Sequence, residues 1–204
     1  MYLCHTFCEL GALPLAPVLD DIHDFLVVHP DEVVVVVNQD YVTPADLVGA
    51  IKEAGLEDFA YRGAVDGTWP TLREMITSNE RLVVLAENHA GAAPWYRLAY
   101  DGAVQETPFS FSKPSQLTKT SAQAKSCRAN RGKPGSPLLL INHWITTDPA
   151  PRPSNAAKVN AYAPLVRRLR TCQRVRKQMP NLVAVDFYRT GDVFKAVDAI
   201  NGLT

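Results

Sequence analysis

The chain has 204 residues, which is enough for one domain with a substantial apolar core. Its 21 Lys and Arg balance its 21 Asp and Glu, and this neutrality argues against a nucleic-acid-binding protein, which normally presents a basic surface. No stretch of the sequence approaches the roughly 18 consecutive apolar residues that a membrane-spanning helix needs.

The first part of the sequence alternates between strand-like and helical segments. Residues 2–7 are a short strand candidate, and apolar residues spaced by three and four predict a helix at Leu15–Val28. Five consecutive valines within residues 32–38 predict a parallel strand with both faces buried. A Thr-Pro pair then opens a predicted helix at residues 43–54.

The middle of the sequence is less regular. A short strand is predicted near residues 59–62, a compact helix at 71–78 and a buried strand at 81–87. Residues 88–136 are rich in Pro, Ser, Gly and Ala, and a connection of this length is usually functional or partly disordered. We therefore expect a mobile insertion at about residues 105–136.

The last part of the sequence returns to alternating strands and helices. Strands are predicted at residues 138–143 and 182–187, a long helix at 155–178, and a final helix after Asp192. The long helix ends in a basic cluster, which we interpret as its solvent-facing side, with a membrane-binding role as the alternative. This cluster consists of Arg167, Arg168, Arg170, Arg174, Arg176 and Lys177.

Repeated βα units with buried strands predict a parallel sheet, either doubly wound or closed into a barrel. No glycine-rich phosphate loop follows a strand, which argues against a nucleotide-binding protein. Polar residues end nearly every predicted strand, and this favours a barrel, because barrels assemble their active sites there. These residues are His5, Asn38, Asp40, Glu87, Asn88, Asn142, His143, Asp186 and Tyr188.

Two of these polar residues are candidates for acid–base chemistry. An imidazole at His5 could donate or accept a proton near neutral pH, although it could also be an ordinary core histidine. Asp186 could orient a histidine and stabilise its charged form, or it could cap the following helix. Glu87, Asn142 and His143 are each a possible substrate ligand or a residue that fixes a loop.

The four cysteines, Cys4, Cys8, Cys127 and Cys172, leave two interpretations open. Their spacing is not that of a zinc site. Disulfide bonds would place the protein outside the cytosol, whereas free buried cysteines would carry no such implication.

Several short motifs follow one another in a specific order and spacing along the whole chain. They are Leu-Cys-His-Thr-Phe-Cys-Glu-Leu-Gly at 3–11, Val-Val-Val-Val-Val-Asn-Gln-Asp-Tyr at 33–41, Trp-Pro-Thr-Leu at 69–72, Leu-Ala-Glu-Asn at 85–88, Asn-Arg-Gly at 130–132, Leu-Ile-Asn-His-Trp at 140–144, Asn-Leu-Val-Ala-Val-Asp-Phe at 181–187 and Gly-Asp at 191–192. Together these segments resemble the X-domain-like phosphodiesterases of the phosphatidylinositol-specific phospholipase C superfamily, in particular secreted bacterial and fungal members.

The resemblance implies a distorted barrel and a mechanism with two histidines that cleaves phosphatidylinositol or a related phospholipid at a membrane surface. His5 matches the general acid, which protonates the departing diacylglycerol oxygen, and Asp186 matches the aspartate that supports the other histidine. An arginine or a calcium ion (Ca²⁺) neutralises the phosphate. Asn38 or Asp40 falls where relatives place a substrate or calcium contact, and Tyr188 is a further expected substrate contact.

The sequence departs from the family pattern at its start. The family begins with a strand that ends in a His-Asn-Ser-like motif, followed by a second strand that carries the arginine or the metal-binding acids, and neither is found here. We therefore expect residues 1–204 to form a single, N-terminally truncated domain with an incomplete TIM-type (β/α) barrel. Such a chain carries only the general-acid half of the site and is expected to be inactive or nearly so.

Two alternatives follow from the same residues. The chain could be a non-catalytic relative that binds a phosphorylated or glycosylated ligand at the barrel rim. It could also be a glycerophosphodiesterase, but that class needs clustered metal-binding carboxylates, and Asp40, Glu87 and Asp186 are dispersed. The resemblance to secreted members implies an extracellular or cell-surface protein.

Overall fold

The structure is a computed structural model that describes residues 1–4 and 8–203. The chain divides into two compact units, Met1–Ala99 and Tyr100–Thr204. Each unit contains a three-stranded parallel sheet, so the predicted α/β class with parallel strands is confirmed. Within the described residues the strands do not form a closed barrel.

The first unit begins with a two-stranded hairpin. Strand β1 (Tyr2–Cys4) pairs in antiparallel fashion with β2 (Ala12–Pro14), and a 3-10 turn at Cys8–Leu10 lies between them. Residues 2–4 of the strand predicted at 2–7 therefore belong to a small hairpin rather than to a parallel sheet, and residues 5–7 lie outside the described residues. Helix α1 follows at Leu15–Val28, with the predicted boundaries.

The sheet of the first unit has the order β3–β4–β5. Strands β3 (Val34–Asn38), β4 (Leu82–Ala86) and β5 (Tyr96–Leu98) are all parallel. Every residue of β4 is buried, as its uninterrupted apolar sequence predicts. The apolar core of the unit packs this strand against α1 and α2 (Pro44–Glu53).

Local capping fixes the two short helices of this unit. The Thr43 hydroxyl accepts a hydrogen bond from the Asp46 N–H and begins α2, and Thr71 forms a reciprocal capping box with Glu74 at the start of α3 (Leu72–Ser78). The predicted strand at residues 59–62 is wrong. The segment contains the end of a 3-10 helix (Leu56–Phe59) and a single parallel bridge from Ala60 to Leu82.

The second unit contains the order β6–β7–β8. These parallel strands are β6 (Val104–Glu106), β7 (Leu138–Asn142) and β8 (Leu182–Ala184). A kinked helical turn at Ala99–Ala103 precedes β6. The helices of the unit are α4 (Ser115–Thr118), α5 (Thr120–Ser126), α6 (Pro153–Val159), α7 (Tyr162–Arg176) and α8 (Val193–Asn201).

Two predictions for the later part of the chain need correction. The stretch predicted to be irregular contains β5, β6, α4 and α5, and Leu117 and Gln123 are fully buried there. The single long helix predicted at residues 155–178 is two helices, because Ala161 has an extended backbone and the Asn160 amide donates to the carbonyl groups of Asp186 and Thr190.

All four cysteines form disulfide bonds. Cys4 is bonded to Cys8, and Cys127 is bonded to Cys172. The second bond joins the end of α5 to α7 within the apolar core of the second unit. Among the described helices, none combines the length and the apolar composition that crossing a bilayer requires.

Candidate functional site

In the first unit, the Asp40 carboxylate is buried just beyond the C-terminal end of β3. Oδ1 accepts a hydrogen bond from the Asn88 N–H (2.8 Å), and Oδ2 accepts bonds from the His89 N–H (2.7 Å) and the His89 Nδ1–H (2.8 Å). Burial opposes ionisation, but these donors hold the pKa of Asp40 below its ordinary value. Asp40 therefore ties the segment after β4 to the segment after β3.

The predicted calcium contact at Asp40 has little support in this geometry. Ca²⁺ takes six to eight oxygen ligands, several of them usually from carboxylates. Both Asp40 oxygens already accept hydrogen bonds, and the described part of the chain contains no group of three or more His, Cys, Asp or Glu residues that could hold a metal. The described residues therefore do not fit a calcium site.

Asn38 and Glu87 lie at the ends of the same two strands. The Asn38 carbonyl accepts a hydrogen bond from the Glu87 N–H (2.9 Å), and the Asn38 amide donates to the buried Tyr96 hydroxyl (3.0 Å). Beside Asn38 is a largely apolar cavity of about 220 Å³, bounded by the β1–β2 hairpin, α1 and α2. The structure thus brings Asn38, Asp40 and Glu87 to one edge of this sheet.

In the second unit, the Glu106 carboxylate at the end of β6 is the centre of a buried polar network. It accepts hydrogen bonds from Asn130 Nδ2 (2.7 Å), Arg131 Nε (2.7 Å), Asn142 Nδ2 (2.9 Å) and the Tyr100 hydroxyl (3.1 Å). Its complete burial opposes ionisation, but the Arg131 charge and the amide donors lower its pKa below the ordinary value. A charged carboxylate is therefore stable inside this unit.

The guanidinium of Arg131 is partly exposed beside this carboxylate. It lies over the ring of Tyr100 at 4.1 Å and over the ring of Phe109 at 5.0 Å, and Trp144 stacks on Phe109. The backbone at Gly132 can pass this close to β6 because glycine has no side chain. A Cβ there would lie 2.1 Å from the carbonyl oxygen of Val104.

His143, the predicted ligand after β7, is completely buried. Its Nε2–H donates to the Val159 carbonyl (2.9 Å), and its Nδ1 accepts from the Arg168 guanidinium (3.0 Å). Burial, together with the charge of Arg168, lowers the pKa of His143 to about 3, so the imidazole is neutral at physiological pH. In this conformation both ring nitrogens are occupied by protein groups.

Arg168 is also completely buried, which corrects its assignment to the solvent-facing side of the helix. Its guanidinium donates to the Ser126 hydroxyl and carbonyl, to the Asn142 carbonyl and to His143. Burial lowers the pKa of Arg168 to about 9. Arg168 therefore connects α5, β7 and α7.

Asp186 lies two residues beyond the end of β8 and is half-buried. It lines a small cleft together with His143, Trp144, Arg152 and Asn160. Asn160 Oδ1 is buried in this region and accepts no hydrogen bond from the described residues. Tyr188 is exposed, and Arg189 lies over its ring at 5.4 Å.

The structure thus brings Asn142, His143, Asp186 and Tyr188 to the C-terminal ends of β7 and β8 in one unit. His5 lies outside the described residues, so its role as the general acid remains a prediction. Sequence reasoning missed Glu106, Arg131, Arg168 and His89. The Asn-Arg-Gly motif at 130–132 could have drawn attention to Arg131. The carboxylate partner of Arg131, Glu106, is 25 residues away in sequence, so the motif does not reveal it.

Comparison with known proteins agrees with the predicted family. A family model described as PI-PLC X 1 matches residues 1–201. The chain is 30% identical over 216 residues to PI-PLC X domain-containing protein 1 of Arthroderma benhamiae, an alignment that covers 98% of this chain and 69% of that protein.

Two further relatives are each 28% identical to the chain. A PI-PLC X domain-containing protein of Arabidopsis thaliana aligns with 99% of this chain, and an uncharacterized secreted protein of Arthroderma benhamiae aligns with 100% of it. The chain spans about half the length of these two relatives, 49% and 51%. No solved structure matches the chain significantly. Since the family match extends over nearly all of its residues, the chain belongs to the PI-PLC X family.

Proposed function

We propose that the protein is a phosphoric diester hydrolase that acts on phosphatidylinositol or a related phospholipid. The observation that carries this proposal is the family match over residues 1–201, which includes the segments that end in His5 and Asp186. The grouping of Asn142, His143, Asp186 and Tyr188 after β7 and β8 supports it, because parallel α/β proteins bind ligands at the C-terminal ends of their strands. In this proposal the two parallel sheets correspond to parts of an incomplete (β/α) barrel.

The proposed chemistry assigns the general acid and one supporting carboxylate to this chain. His5 protonates the departing diacylglycerol oxygen, and the Asp186 carboxylate supports the positive charge of the other catalytic histidine. Glu87, Asn38, Asn142, His143 and Tyr188 are proposed substrate contacts. No segment of the chain resembles the family motif that carries the first histidine, so we propose that it supplies the general-acid half of the site and has little turnover of its own.

The proposal that this chain lacks the general base can be tested directly by chemical rescue. Release of inositol phosphate from phosphatidylinositol vesicles is measured with and without imidazole, which can act as a diffusible base. We expect slow turnover that imidazole raises several-fold. We also expect that rise to disappear in His5→Ala and Asp186→Asn, while His29→Ala, a change of an exposed histidine, preserves it.

A second candidate function is a non-catalytic relative that binds a phosphorylated or glycosylated ligand at the same strand ends. Protein groups already bind both nitrogens of His143 and both carboxylate oxygens of Asp40. This favours the non-catalytic alternative. Under this alternative, titration with inositol phosphate shows binding that Asp186→Ala weakens, and imidazole produces no turnover. Full activity without imidazole that His5→Ala leaves unchanged would contradict both the general-acid role of His5 and the non-catalytic alternative.

We also propose an extracellular or cell-surface location. Two disulfide bonds are typical of proteins that fold in an oxidising compartment, and one relative is named as a secreted protein. Thiol labelling of the protein from its native source, with and without prior reduction, should show all four cysteines protected until the reductant is added.

A further inference from the structure

The overall neutrality of the chain hides a strong separation of charge between its two units. Residues 100–204 contain 16 of the 21 Lys and Arg but only 6 of the 21 Asp and Glu, a formal charge of +10. Residues 1–99 contain the remaining 5 basic and 15 acidic residues, a formal charge of −10. The second unit is therefore as basic as many proteins that bind polyanions.

Part of this positive charge lies along one exposed face of α7. Arg167, Arg170 and Arg174 are spaced by three and four residues, and together with Tyr162 they line an open depression. Arg167 is partly held by Gln123 and by the Thr118 carbonyl, whereas Arg170 and Arg174 are exposed. The helix itself, Tyr162–Arg176, contains no acidic residue.

Aromatic side chains extend this surface onto α8 and the segment before it. Lys195 lies over the ring of Tyr162 at 4.9 Å, and the neighbouring Phe194 packs edge-to-face against Tyr188. Phe194 is 68% exposed and Tyr188 is 52% exposed. We define the basic face as Tyr162, Arg170, Arg174, Tyr188, Phe194 and Lys195.

The acidic side chain of Asp192 contacts the basic face at the start of α7. The Asp192 carboxylate accepts a hydrogen bond from the Tyr162 N–H (3.0 Å), at the N-terminus of α7, where the helix dipole favours a negative charge. Arg170 and Arg174 lie about two and three turns further along the helix. Asp192 therefore caps the helix and does not neutralise these arginines.

We propose that the basic face docks the protein onto an anionic phospholipid surface. Arginine and lysine side chains are attracted to lipid phosphates, and aromatic rings are favoured at the level of the headgroups. A purely electrostatic partner, such as a sulfated polysaccharide, would use the cations but would gain nothing from the exposed ring of Phe194. The choice of lipid rests on the proposed function, since a phospholipid hydrolase must reach its substrate in a membrane.

The test measures vesicle binding separately from catalysis. The full chain is sedimented with vesicles of phosphatidylcholine alone and with vesicles that contain about 30% phosphatidylserine, an anionic lipid without an inositol headgroup. We expect binding only to the anionic vesicles, with an affinity that falls as salt is raised. Arg170→Glu/Arg174→Glu should weaken binding at least tenfold, because each basic residue near such a surface contributes roughly a fivefold factor.

Two further variants separate the basic face from general electrostatics. Arg73→Glu/Lys113→Glu makes the same change in net charge at exposed positions outside the face and should bind the vesicles as the wild type does. Phe194→Ala should weaken binding to vesicles but not to immobilised heparin. Thermal unfolding of each variant checks that it is folded.

Three results would overturn the proposal: no binding of the wild type to anionic vesicles at low salt, equal binding by the Arg170→Glu/Arg174→Glu variant, or binding to heparin without binding to vesicles. Sedimentation of the wild type as a dimer that this variant abolishes would instead identify a second copy as the partner. Because no turnover is measured, these results are independent of whether the proposed hydrolase activity is found.

Discussion

At the scale of single residues, His143 shows how burial changes what a histidine can do. From the sequence it was a possible substrate ligand, because it follows a buried strand. In the structure its ring lies between the Val159 carbonyl and the Arg168 guanidinium, and its pKa is lowered to about 3 by burial and by that charge. A histidine in this state stabilises the fold only while it remains uncharged.

The stability of the protein should therefore depend on the protonation of His143. In the unfolded chain this imidazole takes up a proton near pH 6.5, whereas in the folded protein it does so near pH 3. The unfolded state then binds more protons between these two values, so the free energy of unfolding falls as the pH is lowered from 6.5 towards 3. The slope from one such group is at most about 1.4 kcal/mol per pH unit.

Chemical denaturation of His143→Gln at several pH values between 6.5 and 5 tests this expectation. The variant should lack this one-proton contribution to the slope, since glutamine does not titrate. His29→Gln removes an exposed histidine and should keep the slope of the wild type. An unchanged slope in His143→Gln would show that the buried imidazole does not control acid stability.

The residue types at the strand ends could be predicted from the sequence, but their partners could not. Asn142 and Asp186 were recognised because polar residues that follow buried strands are unusual. The pairing of Glu106 with Arg131 depends on a loop that returns to the end of β6, and no local pattern encodes that return. The same holds for Asp40, whose donors Asn88 and His89 come from the segment that follows the neighbouring strand β4.

At the scale of elements, the break between α6 and α7 depends on contacts with a distant loop. The Asn160 amide binds the carbonyl groups of Asp186 and Thr190, and the Asn160 carbonyl accepts from the Asp192 N–H. Gly191 is in the same loop with a φ of +92°, and a Cβ there would lie 2.7 Å from the Asn160 carbonyl oxygen. The loop can therefore close on Asn160 only with glycine at this position.

Two glycine substitutions separate this close contact from backbone strain. Gly135 has a similar φ of +86°, but a Cβ there would meet no described atom within 4 Å. We expect Gly135→Ala to lower the free energy of unfolding by about 1 kcal/mol from strain alone. Gly191→Ala should cost about 1–3 kcal/mol more, because it adds a clash with backbone. If both variants lose the same free energy of unfolding in urea denaturation, the close contact with Asn160 adds nothing to the cost of Gly191→Ala.

The elements that were predicted correctly are those with a strong local signal. Helix α1 has a continuous apolar stripe, and α3 begins with a complete capping box, so both could be located from short stretches of sequence. The antiparallel pairing of Tyr2–Cys4 with Ala12–Pro14 could not be predicted in the same way. Strand pairing is decided by hydrogen bonds to other segments, which its own residues do not specify.

At the scale of the whole molecule, the two disulfide bonds differ in the length of chain that they close. Cys127 and Cys172 are 45 residues apart in sequence, whereas Cys4 and Cys8 are 4 apart. If a disulfide stabilises the fold by restricting the unfolded chain, these separations correspond to about 4 and about 2 kcal/mol. The longer link should therefore contribute more to stability.

Paired substitutions measure this difference. We expect Cys127→Ala/Cys172→Ala to lower the midpoint of guanidinium denaturation considerably more than Cys4→Ala/Cys8→Ala does. Cys127 and Cys172 are also fully buried, so their replacement leaves a small cavity that lowers the stability further. Equal midpoints for the two variants would show that the core of the second unit does not depend on this covalent link.

The sequence by itself determined the family, the α/β class with parallel strands, and the residues that follow β3, β4, β7 and β8. Each of these is encoded locally, in short motifs, in runs of apolar residues or in the polar residues that end them. Only the tertiary structure decided that Arg168 and His143 are buried, that Glu106 is paired with Arg131, and that Lys195 of α8 lies over the ring of Tyr162 at the start of α7. These features depend on which distant segments come into contact, and burial and charge pairing act through space rather than along the chain.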